Sequence, residues 1–205
     1  MKLLKIVLKE LKSFFSDEKK KPFDIEVTYE HKRKIIDLYR NQLELKILVE
    51  TGTFLGDTIE FFKVKFNFLF SIELSEELAT RAKIRFKSDK NIKILNGDSG
   101  AVLEKLVPEL NEPTLFWLDG HYSSEFYLNG EYFVTAKADK NTPIEKELDI
   151  ILSSPFKHTI LIDDARLFIG ENDYPTIQEV EEKVKASDKG YKVIVTTDII
   201  QIIPN

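Results

Sequence analysis

Acidic residues recur in this sequence where short apolar runs end, and their spacing suggests particular chemistry. Glu50 stands near the end of the run Lys46–Thr51 (KILVET), and Gly52-Thr53-Phe54-Leu55-Gly56 follows as a turn bracketed by two glycines. Glycine lets backbone approach a ligand closely and accepts positive φ. Glu73 lies near the end of Phe68–Leu74, about 20 residues beyond the turn, where a carboxylate can accept both hydroxyls of a ribose. Asp98, in Asn96-Gly97-Asp98-Ser99, either accepts from the amino group of an adenine or caps the next helix. Asp119 ends one later run (Phe116-Trp117-Leu118-Asp119-Gly120-His121), and Asp163-Asp164 end another (Leu161-Ile162-Asp163-Asp164-Ala165-Arg166). Three carboxylates gathered in one place repel one another unless something positive joins them. A hard divalent cation on oxygen ligands meets that need, with magnesium the default and calcium or manganese as alternatives. Arg166 is a second, purely local partner for the aspartate pair.

The elements that must position these residues follow from the hydrophobic rhythm. A helical pattern covers Tyr29–Leu43, and β-rich apolar runs then alternate with charged helical stretches. The remaining runs are Asn91–Asn96, Thr114–Asp119, Thr159–Asp164, Tyr191–Thr196 and Ile199–Pro204. The helical stretches are Gly56–Lys65, Ser75–Lys87, Ser99–Leu110, Thr142–Ser153 and Tyr174–Ala186. Strands buried on both faces and separated by helices predict an α/β fold: a mostly parallel, seven-stranded sheet with helices on both faces. Only Thr197 and Asp198 separate the last two runs, which is hairpin spacing, so the final strand enters antiparallel at or near the sheet edge. In such a sheet ligands bind beyond the carboxyl ends of the strands, where all these acids fall. Thr142-Pro143-Ile144-Glu145 reads as a helix start, with Thr142 as cap and Glu145 closing a capping box. Residues 121–141 form the longest connection without a clear element. Its Tyr122, Phe126, Tyr127, Tyr132 and Phe133 suit either a lid that stacks on a ring or a packed surface excursion.

Composition narrows the function. The 205 residues suit one domain, residues 23–205, with a small N-terminal appendage, residues 1–22. A hydrophobic content of 42% provides a core, and a net charge of −5 argues against nucleic acid as partner. The absence of cysteine excludes disulfides, thiolate metal sites and a cysteine nucleophile, and is compatible with a cytoplasmic protein. No apolar run is long enough to span a bilayer. Met1–Phe15 alternates apolar residues with lysines, so as a helix it packs on its own domain, packs on a second subunit of a homodimer, or lies peripherally on an anionic membrane. Asp17–Pro22 (DEKKKP) follows as a linker. His31 and His158 carry no functional claim.

Taken together, ExGxxxG after the first strand, an acid ending the second, Gly-Asp after the third, Leu-Asp-Gly ending the fourth and the closing hairpin resemble the class I S-adenosylmethionine-dependent methyltransferases. The resemblance covers roughly Tyr29 to Asn205 and implies their Rossmann-like sheet. It also implies that Glu50, Gly52 and Gly56 line the methionine part of S-adenosylmethionine (SAM), that Glu73 holds the ribose, and that Asp98 sits by the adenine. Thr53, Ser99 and Asp119 complete the implied cofactor site. The chain departs from the pattern at Phe54, where the family has its central glycine, and phenylalanine takes the strained backbone geometry less cheaply. The two aspartate elements are similar to those of the macrocin-type, metal-dependent O-methyltransferases that act on antibiotic sugars. That likeness implies a magnesium site at Asp119, Asp163 and Asp164 and catalytic roles for Asp119 and His121.

His121 stands where that group has an acid likened to a general base. A histidine fills the role, because its unperturbed pKa near 6.5 lets it take a proton at neutral pH. The implied reaction is methyl transfer to a hydroxyl of a sugar or another small molecule. Two other readings fit parts of the pattern. A nicotinamide-dependent oxidoreductase shares the glycine turn and the ribose acid but lacks GxGxxG and the terminal hairpin. A non-catalytic protein of the same fold would keep the cofactor as a ligand only.

Overall fold

Strands that are apolar on both faces belong in the middle layer of a three-layer stack, and the computed structural model puts them there. It describes residues 29–120, 125–128, 131–134 and 141–205. Helix α1 (Tyr29–Gln42) leads into β1 (Ile47–Thr51), α2 (Asp57–Phe62), β2 (Phe68–Glu73), α3 (Glu76–Arg85), β3 (Ile92–Asn96), α4 (Ser99–Leu106) and β4 (Leu115–Leu118). A separate antiparallel pair, β5 (Glu125–Leu128) and β6 (Glu131–Val134), follows. The chain then forms α5 (Ile144–Ser153), β7 (Thr159–Ile162), α6 (Ile177–Ala186), β8 (Tyr191–Thr196) and β9 (Ile199–Pro204).

The main sheet has seven strands in the order β3-β2-β1-β4-β7-β9-β8; the first five run parallel, and β9 pairs antiparallel with both β7 and β8. The final strand is therefore one place in from the edge, and β8 forms the edge itself. The strand order reverses between β1 and β4, which leaves a crevice beyond their carboxyl ends.

Alternation along each strand divides the core in two. Ile47, Val49, Phe116, Leu118, Ile160 and Ile162 face α4, α5 and α6. Leu48, Leu69, Leu115, Trp117 and Leu161 face α1, α2 and α3. Glu50 and Thr51 thus project to opposite sides of β1 at its end. Two expectations need correction. Thr142 does not open a capping box: Pro143 occupies the cap position of α5, and the Thr142 hydroxyl instead accepts from the Ile144 N–H at 3.3 Å. The full capping box belongs to α6, where Thr176 and Glu179 satisfy each other's backbone donors. Nor is the connection 121–141 without structure, since β5 and β6 fall within it. The aromatic side chains expected to line a lid lie outside the described residues, as do His121 and the N-terminal segment 1–22.

Polar pairs fix the packing of α1 on the sheet. The Tyr39 hydroxyl donates to Gln201 Oε1 at 2.7 Å in the core, and Gln201 Nε2 donates to Thr196 Oγ1 at 2.6 Å. Removing the hydroxyl strands a buried acceptor. Tyr39→Phe is expected to lose about 1–3 kcal/mol of stability, read as a lower urea midpoint with an unchanged slope. An unaltered midpoint would mean that this bond does not hold α1.

Candidate active site

The turn after β1 is held by its neighbours. Gly52 has φ +86°, and a Cβ there would lie 2.5 Å from the backbone oxygen of Asp119, so only glycine lets the ends of β1 and β4 approach this closely. Phe54 adopts φ +46°, the left-handed geometry that its side chain disfavours, and its N–H donates to Glu73 Oε2 at 2.8 Å. The other Glu73 oxygen accepts from the Ser75 N–H at 2.9 Å. The proposed ribose acid is thus already oriented by two backbone donors. Gly56 has φ +80° and faces Phe86, whose ring a Cβ would meet at 2.8 Å, which gives this glycine a packing reason of its own.

Glu50 is buried and accepts from Ser71 Oγ at 2.5 Å; Ser71 in turn lies 2.6 Å from Thr53 Oγ1. Burial pushes the Glu50 carboxyl up to about 8, against the Ser71 and Thr58 hydroxyls that favour the charged form. Asp98 caps α4, accepting from the Ala101 N–H at 2.8 Å, and Ser99 begins that helix. The capping role open to Asp98 in the sequence is the one the fold uses.

Asp119, Asp163 and Asp164 do converge. Each offers a carboxylate oxygen within 4.8 Å of the others, beyond the ends of β4 and β7. Asp163 is buried, and its Oδ1 has no hydrogen-bond partner among the described residues. Burial raises the Asp163 carboxyl to about 6, opposed first by the Lys32 ammonium and reinforced by Asp164. Asp119 is raised well above the carboxylate range, by burial first and then by Asp163.

Lys32 and Asp198 at this edge were not singled out in the sequence, whereas Arg166 was, as a local partner of the aspartate pair. Lys32 of α1 pairs with Asp163 Oδ2 and lies 3.9 Å from Asp164 Oδ1. Arg166 reaches Asp164 at 2.8 Å and also pairs with Asp198, which sits in the β8–β9 turn at φ +58°. The repulsion that the sequence assigned to a metal is therefore met in part by protein cations. A positional signal for Lys32 existed: with Ile36 and Tyr39 it shares one stripe of α1, so it extends the apolar face by one turn. Glu147 of α5 is likewise a buried acid on an apolar stripe, beneath the same edge. A cleft of about 260 Å³ does open elsewhere, among Ile47, Phe68, Phe70 and Lys93 at the amino ends of the strands. It touches none of the acids, and the crevice rule places chemistry at the opposite edge.

This sheet order, with one inserted antiparallel strand, is the methyltransferase fold. The chain is similar to the O-methyltransferase TomG of Streptomyces achromogenes, involved in tomaymycin synthesis and solved with SAM: TM-score 0.57, 16% identity, 89% of this chain and 83% of that one. It is similar to an O-methyltransferase of Bacillus cereus in complex with S-adenosylhomocysteine (SAH): TM-score 0.54, 16% identity, 99% of this chain and 91% of that one. The SAH-bound Podospora anserina methyltransferase PaMTH1 aligns with TM-score 0.52 and 14% identity over 87% of this chain and 80% of that one. At such identities the likeness is one of fold. No family model and no curated protein matches the sequence.

The raised Glu50 carboxyl makes stability depend on pH with a definite sign. The folded state holds this proton more tightly than the unfolded chain, so stability falls as pH rises from the ordinary carboxylate range through about 8. Glu50→Gln keeps an acceptor for Ser71 and removes the charge. It is expected to raise the melting temperature by several degrees near pH 8 and hardly at all near pH 5. A difference between variant and parent that stays flat over that range would exclude Glu50 as the linked group.

Proposed function

We propose that this chain is a SAM-dependent O-methyltransferase acting on a hydroxyl-bearing small molecule, a sugar in the first instance, with a divalent cation at Asp119, Asp163 and Asp164. The observation that carries the reading is the gathering of Glu50, Glu73, Asp119, Asp163 and Asp164 at the carboxyl edge of a methyltransferase-fold sheet, around the switch between β1 and β4. Gly52, Thr53 and Gly56 shape the turn that would carry the methionine part, Glu73 would meet the ribose, Asp98 would sit by the adenine, and Ser99 and Asp119 would complete the cofactor site. A net charge of −5 supports a small acceptor over nucleic acid.

The cluster fits a divalent ion on two counts. Its three aspartates, Asp119, Asp163 and Asp164, together with Asp198 on the same arginine, face one lysine and one arginine among the described residues, so two negative charges remain among these groups when all are ionised. Asp163 Oδ1 is moreover a buried oxygen without a partner among the described residues, of the hard donor type such ions take. When bound, SAM supplies a methyl group on a sulfonium, and the ion lowers the pKa of a coordinated hydroxyl. The chain's own part is positioning, because in-line displacement needs the acceptor oxygen aligned with the methyl carbon. Lys32 and Arg166 hold Asp163 and Asp164 in place, and His121 takes the acceptor's proton.

Calorimetric titration is expected to show SAM and SAH binding that weakens roughly tenfold or more in Glu73→Ala, about the worth of one charge-assisted hydrogen bond. Turnover on sugar and phenol acceptors is expected to require magnesium and to be lost in Asp163→Asn. Turnover undiminished in chelator overturns the metal, and failure to bind either cofactor form overturns the methyltransferase.

A further inference from the structure

The carboxyl of Glu147 lies under the two turns that the reading above assigns to the cofactor. Glu147 is 1% exposed and shares the inner stripe of α5 with Ile144, Leu148 and Ile151. The hydroxyls of Ser99, at the start of α4, and Thr51, at the end of β1, both act on it. Thr51 immediately precedes Gly52 of the glycine turn, and Ser99 immediately follows Asp98. One buried acid therefore touches both turns.

The contacts are incomplete in a telling way. Glu147 Oε1 and Thr51 Oγ1 are both buried, and among the described residues neither meets a partner at full hydrogen-bond geometry. Leaving two such atoms unpaired is costly, and an apolar residue at this place in α5 would avoid the cost. Thr51 is also confined from above: a Cβ on Gly120 would meet its Oγ1 at 3.0 Å. Because the Thr51 hydroxyl already acts on this carboxyl, a movement of its turn toward α5 would complete the bond between them.

We infer that Glu147 is a positioning residue for the cofactor turns: its carboxyl, shared between Thr51 and Ser99, sets the separation of the β1 and β3 ends, and cofactor binding closes the open bond. The inference rests on the methyltransferase reading. Burial pushes this carboxyl up to about 7, against the Ser99 and Thr51 hydroxyls that favour its charged form, and Asp98 adds a smaller upward push. The charged groups nearby are Asp98 on the α4 side and, on α5, Lys146, whose stem covers Gly100 and whose ammonium lies 3.3 Å from Glu104. The ionised carboxyl accepts from both hydroxyls at once, so the shelf is drawn together as Glu147 loses its proton.

Calorimetric titration of the full chain with SAH at several pH values tests this. Binding is expected to tighten roughly tenfold from about pH 6 to pH 8, and the part of the rise centred near 7 is expected to vanish in Glu147→Gln. Glu50→Gln, run in parallel, is expected to remove a separate part at higher pH. Thr51→Val, which keeps the shape and drops one donor to the carboxylate, is expected to move the Glu147 inflection upward and serves as the second variant if Glu147→Gln does not fold. Parallel profiles for parent and Glu147→Gln, or an inflection unmoved in Thr51→Val, overturn the positioning role while leaving the methyltransferase standing. SAH that binds at no pH overturns the methyltransferase reading, and the inference with it.

Discussion

Carboxylates packed at one end of one sheet repel one another, and most features of this edge can be traced to how the fold keeps them there. Three devices are at work, and each is used where its geometry permits. Glu50 and Glu147 are buried against hydroxyls and hold their protons to unusually high pH. Glu73 and Asp98 accept hydrogen bonds from backbone N–H groups. Asp163, Asp164 and Asp198 are matched with Lys32 and Arg166. No single device would serve: protonating all of them would leave no acid to act, and pairing all of them would leave no charge for a ligand.

The backbone accommodates the same crowding. The ends of β1 and β4 interlock, with Gly52 against the Asp119 oxygen and Gly120 against the Thr51 hydroxyl. A side chain at Gly52 would force apart the two strands between which the crevice opens, and one at Gly120 would press on the Thr51 side chain. Phe54 and Thr197 take left-handed conformations that their side chains disfavour. Phe54 is fastened by Glu73, and Thr197 belongs to the tight hairpin turn that carries Asp198 to Arg166. Other turns hold left-handed residues too, at Glu44, Asn172, Asp173 and Asp188, while the strand interiors remain regular.

The sheet could be read from the sequence because burial on both faces writes itself as continuous apolar runs, which is why seven runs gave seven strands. The acids could be read because strand ends are marked by where those runs stop. Arg166, two residues from Asp164, could be read as its partner, but the distant partners could not. Lys32 lies 131 positions from Asp163, and nothing local distinguishes it from the other basic residues of α1 except its place on the apolar stripe. Glu147 has the same signature on α5. The pair β5–β6 was also legible in principle, since Asn129-Gly130 between two aromatic runs is a hairpin signal. Length misled there, because a long connection reads as a loop until its turn chemistry is weighed.

Lys32 changes what the acid cluster is. A bare group of three aspartates would be unstable without a ligand, and burial alone would drive them to hold protons. With Lys32 from α1 and Arg166 from the turn after β7, the cluster can persist in the unliganded protein and still carry residual negative charge. The helix that supplies Lys32 is the one that Tyr39 and Gln201 anchor to β9. Electrostatics at the edge and packing in the core are therefore joined through one element: displacing α1 would remove the cation from Asp163 and strand a buried acceptor in the core.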